Sequence, residues 1–223
     1  MLSKNTFYKF TPEGKVVPYY GNTVISFVQD PTSEIYRIVS AARKALMESG
    51  FSDCLAFLPE SSFHMTVKQL CRYIDRGTDL WPKDIDENLT YRQIDPILKE
   101  KVERIPFPED IYMVPVKCME ATLRLRPYDE RSERLIRKYR DDLAEVTTIR
   151  YPGHDTYGFH ISYAYHVKEY TPAQQEERDA LCDKLTRELL TDAKPFRVMP
   201  PKFVIFNDMM SYETDLSRRG DKW

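Results

Sequence analysis

Two strand-length segments, Phe63-His64-Met65-Thr66-Val67 and Phe159-His160-Ile161-Ser162-Tyr163, obey one rule: apolar residues alternate with a histidine and then a hydroxyl. Strand side chains point to opposite faces with a period of two, so burying the apolar set puts His64 with Thr66, and His160 with Ser162, on the other face. A helix would scatter both sets. The chain must therefore build a sheet twice around the same pattern, and two such faces brought together make a polar site fit for one phosphate.

The elements that precede each segment are also repeated. Residues 23–28 (TVISFV) read as a strand, and Asp30-Pro31 read as the cap and first turn of a helix whose apolar face is Ile35, Ile38, Val39, Ala42 and Leu46, closed by Gly50. Residues 54–58 and 63–70 come next as strands. In the second half, residues 119–126 read as a strand, Leu135, Ile136, Tyr139, Leu143 and Val146 as a buried helical stripe, and residues 159–167 as the strand carrying the second motif. The distance from Phe27 to His64 is 37 residues, and from Leu125 to His160 it is 35. This matching order predicts approximate repeats over 20–70 and 112–168 within one domain spanning 1–223. Residues 72–109 are polar and read as an insertion or cover, with a helix after Asp95-Pro96. Thr171-Pro172-Ala173-Gln174 has the form of a capping box opening a further helix, residues 203–206 read as the last strand, and residues 214–223 as a loose charged tail.

Composition narrows the function. A formal net charge of −2 lacks the basic excess with which proteins displace counterions from long nucleic acid. The four cysteines, Cys54, Cys71, Cys118 and Cys182, have no CxxC spacing and read as reduced thiols. No apolar run approaches the ~20 residues of a membrane span, and no leader-like apolar segment stands at the N-terminus. The expectation is a cytoplasmic monomer without membrane contact, acting on a small phosphorylated ligand.

Either triplet alone reads most economically as an ordinary strand histidine. Two at equivalent places in an apparent duplication reverse that reading. A third triplet, His154-Asp155-Thr156, follows Pro152-Gly153, carries a charge at its centre and reads as a loop. Metal binding is the rival chemistry, but His160 and His166 would lie about 20 Å apart on one extended strand, and no HExxH-like cluster surrounds them. A pair of imidazoles with ordinary pKa values of about 6.5 suits acid–base work without a metal, one neutral and one protonated. Thr66 and Ser162 would donate hydrogen bonds to the non-bridging phosphoryl oxygens. Lys68 shares the alternation of His64 and Thr66 and is expected in solvent or at a second phosphate. Arg124 and Arg126 belong to the polar side of their strand, and His166 to a strand rim.

The paired apolar-His-apolar-Thr/Ser-apolar strands resemble the signature of the 2H phosphoesterase superfamily, which includes RNA ligase-like 2',5' enzymes and cyclic nucleotide phosphodiesterases. That resemblance implies an α+β, bilobal duplicated fold: two antiparallel sheets facing across a central cleft with helices outside, His64 and Thr66 on one lobe and His160 and Ser162 on the other. It implies a phosphodiesterase acting on a cyclic phosphate or short 2',5' or 3',5' phosphodiester of a nucleotide or RNA end, with no cofactor and no metal. It also implies His160 as the base and His64 as the acid. The alternative is a protein that binds a nucleotide or another phosphorylated ligand without turnover. The 72–109 insertion, placed directly after the first motif, suggests a lid that alters substrate choice.

Overall fold

Apolar alternation and helical spacing produce nine strands and four α-helices among residues 4–220, the residues that the computed structural model describes. In chain order these are β1 (Gly21–Phe27), α1 (Glu34–Met47), β2 (Leu55–Phe57), β3 (His64–Arg72), α2 (Tyr91–Glu103), β4 (Tyr112–Cys118), β5 (Thr122–Pro127), α3 (Glu130–Thr147), β6 (His160–Ser162), β7 (Ala164–His166), α4 (Pro172–Leu190), β8 (Phe196–Arg197) and β9 (Lys202–Phe206). Seven strands make one antiparallel sheet in the order β8-β4-β5-β6-β3-β1-β9, and β2 pairs with β7 in a separate ribbon. None of the described helices is long and apolar enough to cross a membrane.

The mixed helix and strand content is as expected, and the duplicated two-sheet arrangement is present only in part. The motif strands β3 and β6 are neighbours, paired antiparallel through Met65 and Ile161, so the two halves are joined into one sheet at the motifs themselves. β6 is only three residues long and gains ladder partners on both sides, β3 on one and β5 on the other. On each side of this central pair stands the strand that leads into the helix of its own half, β1 before α1 beside β3 and β5 before α3 beside β6. Met65 and Ile161 are buried in the core, which turns both motif polar faces the same way.

Several local expectations shift for identifiable reasons. Helix α1 begins after Ser33, whose side chain accepts from the Tyr36 N–H, because the Asp30 carboxylate is occupied in its own turn by the Thr32 N–H and hydroxyl. Helix α2 starts at Tyr91 under a Thr90/Gln93 capping box, so Pro96 lies inside the helix instead of opening it. The strand expected over 159–167 breaks at buried Tyr163, whose hydroxyl donates to the Met119 carbonyl; the chain there leaves the large sheet for the ribbon. α4 begins as expected, under the Thr171/Gln174 capping box.

The 72–109 segment is not a lid over the motif face. Its helix packs against α3 and β9, and only Arg72 of this segment lines the cavity beside the motifs. The tail is not loose where it is described; residues 221–223 lie outside the described residues. Arg219 is fully buried and forms a two-pronged ion pair with Asp95 of α2, with Nε and one terminal nitrogen 2.7 and 2.8 Å from the carboxylate. Its remaining donors reach the Phe206 and Gly21 carbonyls, clamping the tail to β9, β1 and α2.

Candidate active site

Strand β3 positions most of the site, and it does so through two irregularities. Its register against β1 runs Phe27 to His64 and Ile25 to Thr66, then Val24 to Lys68, Thr23 to Gln69 and Gly21 to Arg72. Each slip inserts an extra β3 residue, as a β-bulge does, and re-aims the side chains beyond it. The first slip turns Lys68 away and brings Gln69 onto the face shared by His64 and Thr66, and the second restores the original alternation, so that Arg72 shares that face too. Strict alternation hides this.

His64, Thr66, His160 and Ser162 line one cavity of about 230 Å³. From the Met65–Ile161 pair, His64 stands opposite Ser162 and Thr66 opposite His160. The histidines are therefore diagonal neighbours, a relation that spaces residues by about 7–8 Å, with the Cβ atoms somewhat closer, and leaves room for one phosphoryl group between the rings. Lys9, Tyr19, Thr23, Tyr157, Tyr165, Phe206, Met209 and Tyr212 complete the walls with Gln69 and Arg72. Sequence reasoning did not find these residues, because all but Gln69 and Arg72 come from loops and from other strands with no shared spacing, and Gln69 reaches the face only through a slip in β3.

Both imidazoles are pinned in the same way. His64 Nδ1 lies 2.6 Å from the Ser62 carbonyl and His160 Nδ1 2.9 Å from the Gly158 carbonyl. A carbonyl only accepts, so Nδ1 carries hydrogen in each ring and Nε2 is left to take or give a proton. Tyr212 meets the His64 ring edge-on at 4.2 Å. Burial pushes the His64 pKa down to about 4, with the Ser62 carbonyl opposing and the His160 and Lys9 charges adding to the fall. His160 is also lowered, chiefly by burial, and by Arg124 and Lys9 after its Gly158 bond has opposed the shift. Arg124 faces His160 across the β5–β6 ladder but does not line the cavity.

The cavity's fixed charges are Lys9 and Arg72, and no carboxylate among the described residues lines it. Lys9 donates to the Tyr165 hydroxyl at 3.2 Å and lies over the Tyr165 and Tyr19 rings at 4.7 and 5.4 Å. Arg72 is paired with Asp75. Such a lining attracts an anion and offers a metal ion two imidazoles without an acidic ligand.

Behind β3, the residues set aside by the bulge and by the loop reading form a buried polar network. The Lys68 ammonium donates to the Ile149 carbonyl at 2.6 Å and reaches His154 Nδ1 at 3.1 Å, and burial pushes its pKa down to about 7. His154 Nε2 is 3.0 Å from the Asp141 carboxylate, and Arg140 donates to the Val67 carbonyl within the bulged stretch. Asp141, His154 and Asp155 are close enough together to hold a metal ion, but Arg150 pairs with both carboxylates and Lys68 occupies the remaining imidazole nitrogen. His166 is stacked on Tyr170 at 4.2 Å, away from the cavity.

The buried His64 makes folding stability pH-dependent. Between its folded pKa near 4 and the ordinary value of 6.5, the unfolded chain binds a proton that the folded state refuses, so stability falls as pH drops through that window. The contribution of this residue is about 2–3 kcal/mol between pH 7 and pH 4.5. Urea unfolding at the two pH values should show His64→Gln losing less stability than the parent by roughly that amount; equal losses would mean that His64 titrates normally.

Comparison with known proteins places this geometry. A family model named 2H-phosphodiest, described as a domain of unknown function (DUF1868), matches residues 9–123, a stretch that includes Lys9, Tyr19, His64, Thr66 and Arg72. The second motif lies beyond the matched stretch. The fold is similar to that of the conserved protein of unknown function ATU0111 from Agrobacterium tumefaciens str. C58, at 24% identity and a TM-score of 0.87, over 96% of this chain and 91% of that one. No curated protein matches the chain. With the matched stretch covering half the sequence and the motif strands side by side in the sheet, the chain belongs to the 2H phosphoesterase superfamily, whose name points to phosphodiesterase-type activity.

Proposed function

We propose that the protein is a metal-independent phosphodiesterase that opens a cyclic phosphate, or cleaves a short 2',5' or 3',5' phosphodiester, of a nucleotide or RNA end. The observation that carries this reading is the pair of imidazoles on adjacent strands, each with Nδ1 pinned and Nε2 free, in a cavity lined by cations and hydroxyls and by no described carboxylate. One neutral Nε2 takes a proton from water as its oxygen bonds to phosphorus. The other, protonated, gives its proton to the bridging oxygen as the P–O bond breaks. Thr66, Ser162 and Lys9 meet the non-bridging oxygens.

The resemblance assigned the base to His160 and the acid to His64. The ionisation order favours the reverse. His64, with its pKa near 4, is the harder ring to protonate, so the single proton of the pair resides on His160. We therefore assign His160 as the acid and His64 as the base.

Turnover of 2',3'-cyclic nucleotides, 2',5'-oligoadenylate and ADP-ribose cyclic phosphate in EDTA tests the reading. Cleavage of at least one of them, undiminished by chelation, is expected. Loss of activity in EDTA with recovery on adding a divalent ion would overturn metal independence, and binding without turnover would leave the binding-protein alternative.

A further inference from the structure

We propose that the far end of the cavity along β3 is a second, uncharged subsite, in which the Tyr19 hydroxyl and the Gln69 amide, beside the Asp75-paired Arg72 guanidinium, receive a neutral oxygen acceptor on the substrate. This rests on the phosphodiesterase reading and adds to it the chemistry of the group beyond the phosphate.

The first support is an unsatisfied donor. Tyr19 is 2% exposed, lines the cavity, and its buried hydroxyl finds no acceptor among the described residues. Its ring is stacked on Phe206 at 6.0 Å and meets Tyr73 edge-on at 5.4 Å, so it is held in place. The neighbouring Arg72 offers no help, because a guanidinium only donates. Burial raises the Tyr19 pKa to about 12, so the hydroxyl keeps its proton. A buried donor left unpaired in the empty protein is costly, and a ligand acceptor removes that cost.

The second support is how charge is divided. Arg72 Nε lies 2.7 Å from Asp75 and a terminal nitrogen bonds the other carboxylate oxygen, while the guanidinium rests over the Tyr151 ring at 5.0 Å. Its charge is already neutralised. Lys9 has no carboxylate partner among the described residues, and it is Lys9 whose field reaches both histidines. The cavity thus holds one uncompensated cation, Lys9, over the Tyr19 and Tyr165 rings, and beside it donors without net charge. A substrate with a single phosphoryl group and a carbonyl or hydroxyl on a compact neighbouring ring fits this division, and the cavity of about 230 Å³ is small for ligand sites, which run from roughly 300 Å³ upward. A second phosphate does not fit it.

Calorimetric titration of the full chain with inorganic phosphate, glycerol 2-phosphate, uridine 3'-monophosphate and uridine 3',5'-bisphosphate tests the subsite. The uridine monophosphate should bind about tenfold more tightly than inorganic phosphate, and Tyr19→Phe or Gln69→Leu should each remove about three- to tenfold of that advantage, the span of one hydrogen bond, while leaving phosphate affinity unchanged. Dependence on Tyr19 shared by glycerol 2-phosphate identifies a hydroxyl as the acceptor, and dependence confined to uridine identifies a base carbonyl. Because the proton of the lost hydroxyl has no acceptor in the empty protein, Tyr19→Phe should melt within about 2 °C of the parent in the absence of ligand. Unchanged nucleotide affinity in both variants, a fall in Tyr19→Phe melting temperature of more than about 2 °C, or a tenfold gain from the second phosphate that Arg72→Gln removes would each overturn the proposal. If phosphate binding is lost in His160→Ala but Tyr19→Phe changes nothing, only the subsite fails. If phosphate does not bind at all, the phosphodiesterase reading fails and takes the subsite with it.

Discussion

Changing either His64 or His160 to Ala is expected to lower kcat by about 10² to 10⁴, the span for losing a general acid or base, with the fold retained. Thr66→Ala and Ser162→Ala should cost less, since each removes one hydrogen bond and no proton transfer. In the parent, kcat/KM should be bell-shaped in pH, because the competent free enzyme has one neutral and one protonated imidazole. Below about pH 4 His64 is protonated and the base is lost; above the pKa of His160, itself below 6.5, the acid is lost. The maximum of kcat/KM therefore lies on the acid side of pH 6.5. A bound phosphodiester anion favours both imidazolium forms, so the maximum of kcat should lie at higher pH than that of kcat/KM. An aryl ester with a leaving group of low pKa needs little acid help and should partly rescue His160→Ala. Rescue of His64→Ala instead would restore the assignment implied by the resemblance. Rescue of neither, with a flat pH profile, would reject paired acid–base catalysis.

Arg219→Ala should destabilise the fold by about 3–5 kcal/mol, because it leaves the Asp95 carboxylate buried without its countercharge. Among the described residues Asp95 then keeps only the Asn22 amide, 2.9 Å away, and Asn22 in turn receives the Cys71 N–H, so the damage reaches the β1–β3 pair that carries the first motif. Urea unfolding measures this directly. A loss below about 1 kcal/mol, the usual worth of an exposed ion pair, would mean that Arg219 does not anchor the tail. Replacing both partners by apolar residues, Arg219→Met with Asp95→Leu, should recover much of the loss, since the penalty lies in the unpaired charge.

Wherever the chain is regular, the order of its residues is enough to say which of them share a face. The His64/Thr66 and His160/Ser162 pairs, the buried stripe of α1 and the capping box of α4 are local properties, fixed by periods of 2 and 3.6 and by the chemistry of the first helical turn. The neighbours of those faces are set at long range. Nothing in the spacing of two remote strands states that β3 and β6 pair directly, because hydrogen bonds between strands are made by backbone atoms that all residues share. Nor does it reveal the two slips in β3, which depend on the register of β1 and exchange Lys68 for Gln69 at the cavity wall. Lys9, Tyr19 and Tyr212 reach the site from loops, where no period operates, and Arg219 is buried because an acid from a distant helix meets it there. Local pattern fixed the orientation of the two histidine–hydroxyl pairs, and long-range register fixed their distance, their charge and the groups around them.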